Sequence, residues 1–320
     1  MNRRKVAAFA AHLLLVAFAA NLHCAPTRQL FALLQNGAGV HGRRPETDDY
    51  TVEIEKDRQE TEQFLRSDKS PLLLTGRFNI AEGFSTIGSD PGSTIRLPPR
   101  APKRVGTLHR GGHEISFEVQ TQTAISLNGK PLTGSVTLRI SDAPDPTDRI
   151  SFDDFKFGIR PAGEGFELYL ADAQSPYRGK FKGTTWFPVD RTYRVTGELI
   201  AYKDPKTVDV PYTDGTFKRS TASGELVFRI AGQTLKLVAY AVPPGKNLFV
   251  MFRDQTTGKE TYHGGRYMEA EIAEGGKVTL DFNKASNPYC AYTPYASCPV
   301  PPKENRLAIA IRAGETYHRD

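Results

Sequence analysis

The stretch Glu114-Ile115-Ser116-Phe117-Glu118-Val119, followed by Ala124-Ile125-Ser126-Leu127 and the dipeptide Asn128-Gly129, decides the fold class. Its apolar residues recur at every second position, the period of a strand with one buried face. Asn-Gly then supplies the left-handed backbone that a tight hairpin needs. The same pattern runs upstream through Leu72-Leu73-Leu74, Arg77-Phe78-Asn79-Ile80, Ser85-Thr86-Ile87 and Ser93-Thr94-Ile95-Arg96-Leu97, punctuated by Asp90-Pro91-Gly92. Downstream, Phe155-Lys156-Phe157-Gly158-Ile159 and Phe166-Glu167-Leu168-Tyr169-Leu170 close a unit near residue 172. Short strands with a turn signal roughly every 8–12 residues describe a β-sandwich.

Working outward, Asp172 to Pro188 reads as a packed link that contains Trp186, the single tryptophan, beside Phe187. A second set of strands follows. Thr192 to Leu199, Gly224 to Ile230 and Thr234 to Tyr240 alternate, with a hairpin turn at Ala231-Gly232-Gln233. Leu248-Phe249-Val250-Met251-Phe252 is apolar throughout, which predicts a strand buried on both faces. Before the sandwich, Thr47-Asp48-Asp49 offers an N-cap and an acidic first turn. The segment Tyr50 to Arg66 is then mostly charged, with Tyr50, Ile54, Phe64 and Leu65 as a narrow apolar stripe ended by Ser70-Pro71. The expected architecture is therefore mostly β. One N-terminal amphipathic helix with its tether fills 21–71, a β-sandwich fills 72–175, and a second antiparallel β domain fills 176–320. No βαβ spacing, Gly-rich phosphate loop or internal repeat competes with this reading.

The 320 residues can bury a large core, and 39% hydrophobic with 24% charged residues is ordinary for a globular chain. Residues 1–20 have the layout of a signal peptide. Arg3-Arg4-Lys5 is the basic start, Val6 to Ala20 is apolar apart from His12, and Ala17-Phe18-Ala19 is the small-x-small cleavage pattern. At a rise of about 1.5 Å per residue this stretch is short for a permanent membrane helix, and no other stretch is long and apolar enough to cross. Cys24 lacks a lipobox, since Asn21 and His23 occupy the positions that want an aliphatic and a small residue. The expected location is periplasmic or secreted. The leader holds three cations and no acid, so the chain's net charge of +6 falls to +3 without it, too little to suggest nucleic acid. Outside the cytoplasm, Cys290 and Cys298, separated by a short turn-prone loop, predict a structural disulfide. No second cysteine pair or histidine array exists to complete a metal site, and no cofactor motif is present.

Two resemblances follow from ordered motifs. Thr86-Ile87-Gly88-Ser89-Asp90-Pro91, then Ile95-Arg96-Leu97-Pro98, then Leu127-Asn128-Gly129-Lys130-Pro131-Leu132 resembles a forkhead-associated domain, an eleven-stranded sandwich whose loops read phosphothreonine. The family's phosphate readers carry Gly-Arg in the first loop and Ser-Arg-x-His in the second. Here Gly88-Ser89 and Lys103-Arg104-Val105-Gly106-Thr107 stand in those places, so the resemblance implies the shape without the bidentate phosphate anchor. The last seventy residues are similar to an uncharacterised bacterial family, domain of unknown function 1684. The matching strings are Phe-Arg-Asp-x-Thr-x-Gly-x-Glu-Thr-Tyr from Phe252, Gly-Gly-Arg-Tyr from Gly264, Leu-Asp-Phe-Asn from Leu280, Asn287-Pro288-Tyr289-Cys290 through Cys298-Pro299, and Glu304-Asn305-Arg306-Leu307. That resemblance implies relatives and no activity.

The densest polar cluster follows the apolar strand, and it places the candidate site at Arg253, Asp254, Glu260, Tyr262, Arg266, Asn283 and Tyr292. A strand anchored in the core can hold polar groups rigidly at its end. Gly258, Gly264 and Gly265 allow tight turns or close approach. The first reading is a non-catalytic exported binding or scaffold module of the cell envelope, with a small or polymeric envelope ligand as partner. The alternative is a hydrolase of an envelope polymer, with Asp254, Glu260 or Asp281 as acid and base and Arg253 and Arg266 clamping an anionic substrate. It requires two of these carboxylates to face one cleft.

Overall fold

The computed structural model describes residues 48–141, 147–241, 247–273, 275 and 277–318; the expected leader, the tether and Cys24 lie outside them. The helix forms as the sequence predicts. α1 spans Asp49–Arg66, and the Asp48 side chain accepts from the Thr51 amide at 2.8 Å, satisfying one of the open N–H groups at its start. Asp49 in the first turn and Arg66 in the last complement the helix dipole. Its buried positions are Tyr50, Ile54, Arg58 and Leu65. Burying Ile54 and Leu65 stabilises the docked helix by about 2 kcal/mol each.

Eleven short strands follow: β1 (Leu74–Ile80), β2 (Gly83–Gly88), β3 (Ile95–Arg96), β4 (Gly106–Gly111), β5 (Glu114–Val119), β6 (Ile125–Leu127), β7 (Lys130–Leu132), β8 (Ser135–Thr137), β9 (Arg149–Phe152), β10 (Phe155–Ala162) and β11 (Gly165–Asp172). They form two sheets, β1-β11-β10-β9-β6-β7 and β3-β2-β4-β5-β8, antiparallel apart from the short β2–β3 pair. The inward residues include Phe117, Phe152, Phe155 and Phe157, whose rings meet edge-on or stacked at 5.5–6.4 Å. Asn128 and Gly129 both adopt positive φ at the β6–β7 turn, as their pairing requires.

A short helix, α2 (Pro176–Lys180), leads into the second unit. There β12 (Arg194–Pro211), β13 (Phe217–Ile230), β14 (Gln233–Ala241), β15 (Asn247–Phe252), β16 (Arg266–Ile272) and β17 (Lys277–Asp281) close into an antiparallel barrel. Closure removes the exposed sheet edges, and side chains such as Phe228, Leu237, Val250, Phe252, Leu280 and Phe282 fill the interior. Among the described residues after β17 there is no long strand; they form a strap that sends Phe282, Ala285, Leu307, Ile311 and Ala313 into the interior cluster and runs on over the outer wall. Met251, Tyr267 and Cys298 make a second apolar cluster between the barrel wall and that strap. The run 248–252 is apolar throughout because one face meets the barrel interior and the other meets the strap.

The helix and the sandwich are joined to the barrel unequally. Leu74 at the start of β1 lies opposite Ala171 near the end of β11, so the chain enters and leaves the sandwich at neighbouring points. α1 meanwhile packs largely on the barrel unit. Arg58 donates to the Phe187 carbonyl at 3.0 Å, Glu62 accepts from the Thr184 amide at 2.8 Å, and Lys284 bridges Glu53 and Asp57 at 2.7 and 2.8 Å. Trp186 lies in this seam, with the Arg58 guanidinium 5.1 Å from its ring centre. The sandwich is thus an insertion between a helix and the barrel that holds it. Arg77 of β1 ties the two units by bonding both Glu167 at 2.6 Å and Asp214 of the β12–β13 turn at 2.5 Å.

Candidate functional site

Arg266 opens β16 immediately after Gly265, whose φ is +96°. A Cβ there would stand 2.5 Å from the Phe252 carbonyl, so only glycine lets the two strand ends approach this closely. The Arg266 side chain is 1% exposed. It donates to Asp254 Oδ2 at 2.9 Å, to the Ile311 carbonyl at 2.8 Å and to the Ala313 carbonyl. Asp254 also accepts from the Ile311 amide at 2.9 Å and, through Oδ1, from the Thr256 amide and hydroxyl at 3.0 and 2.6 Å. Burial lowers the Arg266 pKa from its ordinary value, and Asp254 opposes that shift. Arg266 and Asp254 thus clamp the strap, with both charges engaged by the protein itself.

The other candidate residues take different partners. Arg253 runs beside Arg306, its amide donating to the Asn305 carbonyl at 2.9 Å and its carbonyl accepting from the Leu307 amide at 2.7 Å. Glu260 pairs with Arg312 at 3.1 Å on the surface, a contact worth little. Tyr262 is buried, and its hydroxyl donates to the Cys290 carbonyl at 3.0 Å. Asn283 accepts from the Asp190 amide at 3.0 Å and donates to the Asp190 carbonyl and the Tyr50 hydroxyl, both at 2.9 Å. The Tyr50 hydroxyl is in turn 3.0 Å from both oxygens of Asp281, so the Leu-Asp-Phe-Asn motif receives the helix. Burial, then the Asp281 charge, raise the Tyr50 pKa well above its usual value and keep the phenol protonated as a donor.

Tyr292 donates to Glu315, which also accepts from the Asn287 amide at 2.8 Å. Glu315 is 1% exposed, and burial pushes its carboxyl up to about 7 despite those donors. Sequence reasoning passes over this residue. Its local signal is Ala313-Gly314-Glu315, where Gly314 has φ +81° and no room for a Cβ beside the Ala285 and Phe282 carbonyls. Asn305, in the string Glu304-Asn305-Arg306-Leu307, spans a gap in the barrel wall. β14 and β15 pair only over Tyr240–Phe249 and Ala241–Leu248. Beyond that the Asn305 side chain accepts from the Val238 amide at 2.7 Å and donates to the Val238 and Met251 carbonyls at 2.9 and 2.8 Å, spanning the gap.

The cysteines expected to form a disulfide are both free thiols here, and the Cys290 amide donates to Cys298 Sγ at 3.3 Å. Beside the cluster lies a recess of about 170 Å³ lined by Gly258, Lys259, Thr261, His263 and Tyr317, smaller than a cleft for an extended substrate. A second, of about 290 Å³, lies on the sandwich along Ser126, Pro131, Ser151 and Phe152. In the loop between β2 and β3, Ser89 donates to the Ala101 carbonyl at 2.7 Å and Asp90 receives the Gly92 amide at 2.9 Å. Among the described residues no group of three or more His, Cys, Asp or Glu is placed to hold a metal ion, and no helix is long and apolar enough to cross a membrane.

Residues 179–316 match the family described as protein of unknown function (DUF1684). An uncharacterized protein of Haloarcula marismortui, solved by NMR in solution, is 40% identical over 44% of this chain and 79% of its own, with a TM-score of 0.38. The FhaA FHA domain, crystallised with the intracellular domain of Rv3910, is 17% identical over 29% of this chain and 85% of its own, with a TM-score of 0.21. An FHA domain from a study of phosphothreonine-dependent interactions is likewise 17% identical, over 29% and 81%, with a TM-score of 0.21. No curated protein matches the chain.

Proposed function

From the premise that this chain belongs, through residues 179–316, to the family of unknown function DUF1684, we propose a non-catalytic exported binding or scaffold module of the cell envelope. The observation that carries the proposal is how the three candidate carboxylates are engaged. Asp254 faces Arg266 in a buried pair, Glu260 faces Arg312 at the surface, and Asp281 faces the Tyr50 hydroxyl under α1. Acid–base hydrolysis of a polymer needs two such groups across one cleft, and these three stand in three separate contacts. The polar motifs therefore build a rigid body: a closed barrel, a strap clamped to it and a helix locked across it. The recess beside Lys259 and His263 is the proposed contact point for an anionic group of a small or polymeric envelope ligand.

The basic-apolar leader supports export into the periplasm or beyond, where the facing cysteines would close as a disulfide. The test is co-sedimentation of the chain lacking its leader with isolated cell-wall polymer, beside cell fractionation of the full chain. The expected result is retention on the polymer, weakened by Lys259→Glu and without release of soluble fragments. Release of fragments that stops in Glu260→Gln or Asp281→Asn would establish the hydrolase instead. A chain that keeps its leader and stays in the cytoplasm would overturn export.

A further inference from the structure

Cys290 and Cys298 occupy the strap over the outer barrel wall, eight positions apart. Their surroundings differ in a way that a purely structural bridge does not require. Cys298 is 5% exposed and packs in the cluster with Met251 and Tyr267. It is pinned on both sides by one residue: its amide donates to Thr213 Oγ1 at 3.1 Å, and its carbonyl accepts from the Thr213 amide at 2.9 Å. Cys290 is only partly buried and sits in a single helical turn, Tyr289–Ala291, its carbonyl tied to the Tyr262 hydroxyl. The Cys290 amide donates to Cys298 Sγ at 3.3 Å, so the two residues adjoin. Cys290 is the less buried of the two, and Cys298 sits beside it in a fixed position.

We infer that Cys290 and Cys298 form a thiol–disulfide exchange site, with Cys290 as the attacking thiol, Cys298 as the resolving thiol and a low-molecular-weight disulfide as co-substrate. In the first step the Cys290 thiolate attacks one sulfur of the co-substrate. Its S–S bond breaks, one thiolate leaves and takes up a proton, and a mixed disulfide remains on Cys290. Cys298 then gives up its proton and attacks the Cys290 sulfur, the mixed bond breaks, and the second thiolate leaves protonated. Two electrons pass from the pair to the co-substrate, which ends as two thiols while the pair ends as one disulfide. The protonation states favour this order. The hydrogen bond shared with Cys298 draws the Cys290 thiol down to about 7, with Tyr262 acting in the same direction, and that sharing together with burial pushes Cys298 up. The inference goes beyond the envelope reading, since it needs neither export nor a polymer ligand.

The experiment uses the full chain in a Cys24→Ser background, reduced, desalted and exposed to glutathione disulfide, with acid quenching and mass spectrometry over time. The pair alone should end as an internal disulfide that dithiothreitol reopens under native conditions. Adding Cys298→Ser should trap glutathione on Cys290 as a stable mixed disulfide. Adding Cys290→Ser should slow glutathione capture by about tenfold or more, as expected for a buried, unactivated thiol. A parallel pulse of iodoacetamide on the unsubstituted pair, followed by peptide mapping, requires no variant to fold and should label Cys290 first. Cys298 labelled first, equal capture by both single variants, or a native pair inert to glutathione disulfide would each overturn the inference. None of these results depends on binding to envelope polymer, so either reading can fail without the other.

Discussion

Arg266→Ala separates a clamp on the strap from a ligand-binding arginine. The substitution deletes three donated hydrogen bonds, to Asp254 and to the carbonyls of Ile311 and Ala313, inside a site where Arg266 is 1% exposed. Asp254 keeps its bonds from Ile311 and Thr256 but loses its counter-charge, and two buried carbonyls lose a donor. Breaking a buried pair on one side costs about 3–5 kcal/mol. For a unit of this size that lowers the melting temperature by roughly 10 °C. The loss should be local as well as global, so residues 305–316 should exchange their amide hydrogens faster than the barrel strands do. Urea unfolding with hydrogen-exchange mass spectrometry measures both. Replacing Asp254 and Arg266 together by Leu and Met should recover part of the loss, because no lone charge stays buried. A single variant with unchanged stability and an unchanged strap would refute the clamp and return Arg266 to a role toward ligand.

Three further outcomes follow from the same reasoning. Asn305→Ala leaves the Val238 amide and the Val238 and Met251 carbonyls without their partner and should cost about 2–3 kcal/mol by urea unfolding; a cost below about 0.5 kcal/mol would mean that water fills the gap equally well. Glu315 has a folded pKa raised from 4.5 to about 7, so the folded state holds the proton more tightly than the unfolded one. Its contribution is complete below about pH 4.5 and fades, by about 3 kcal/mol at most, as pH rises to about 7. Glu315→Gln should therefore flatten stability across that window, and parallel pH slopes in the two proteins would contradict this. Replacing Thr75–Leu170 by a linker of about three residues should leave a folded barrel with α1 still docked, read from the fluorescence of Trp186 beneath Arg58; exposure of that tryptophan to quencher would show that the sandwich holds the helix.

What was legible in the sequence depended on how local the cause was. Asn128-Gly129 marks its turn because both residues accept a positive φ without help from elsewhere, and Asp48 marks the start of α1 because its partner lies three residues away. The alternation of Glu114–Val119 specifies a face directly, and the pattern buries Ile115 and Phe117 as expected. The continuous apolar run at 248–252 announced burial on both sides, although its second cover, the strap, has no strand pattern to reveal it. The candidate cluster was legible as a concentration of polar motifs, and the particular partner of each residue was not. Arg266 and Asn305 bond mostly to backbone carbonyls, which every residue carries and no side chain advertises. Tyr50 counts as one apolar position in a helical stripe, yet its hydroxyl engages Asp281 and Asn283 at the far end of the chain.

The insertion of the sandwich between α1 and the barrel also sets a timetable for synthesis. The Tyr50–Asp281 contact joins residues 231 positions apart, so α1 leaves the ribosome long before its seat on the barrel exists. An isolated helix of 18 residues is marginal in water, and its stripe stays exposed through that interval. The sandwich closes on itself between Leu74 and Ala171 and can fold as soon as its last strand emerges, drawing the two flanking segments together. That early closure shortens the effective loop between helix and barrel from more than two hundred residues to roughly half as many, which lowers the entropy cost of docking α1. In this order of events the sandwich acts as a folding fastener, and the helix is the last piece to seat.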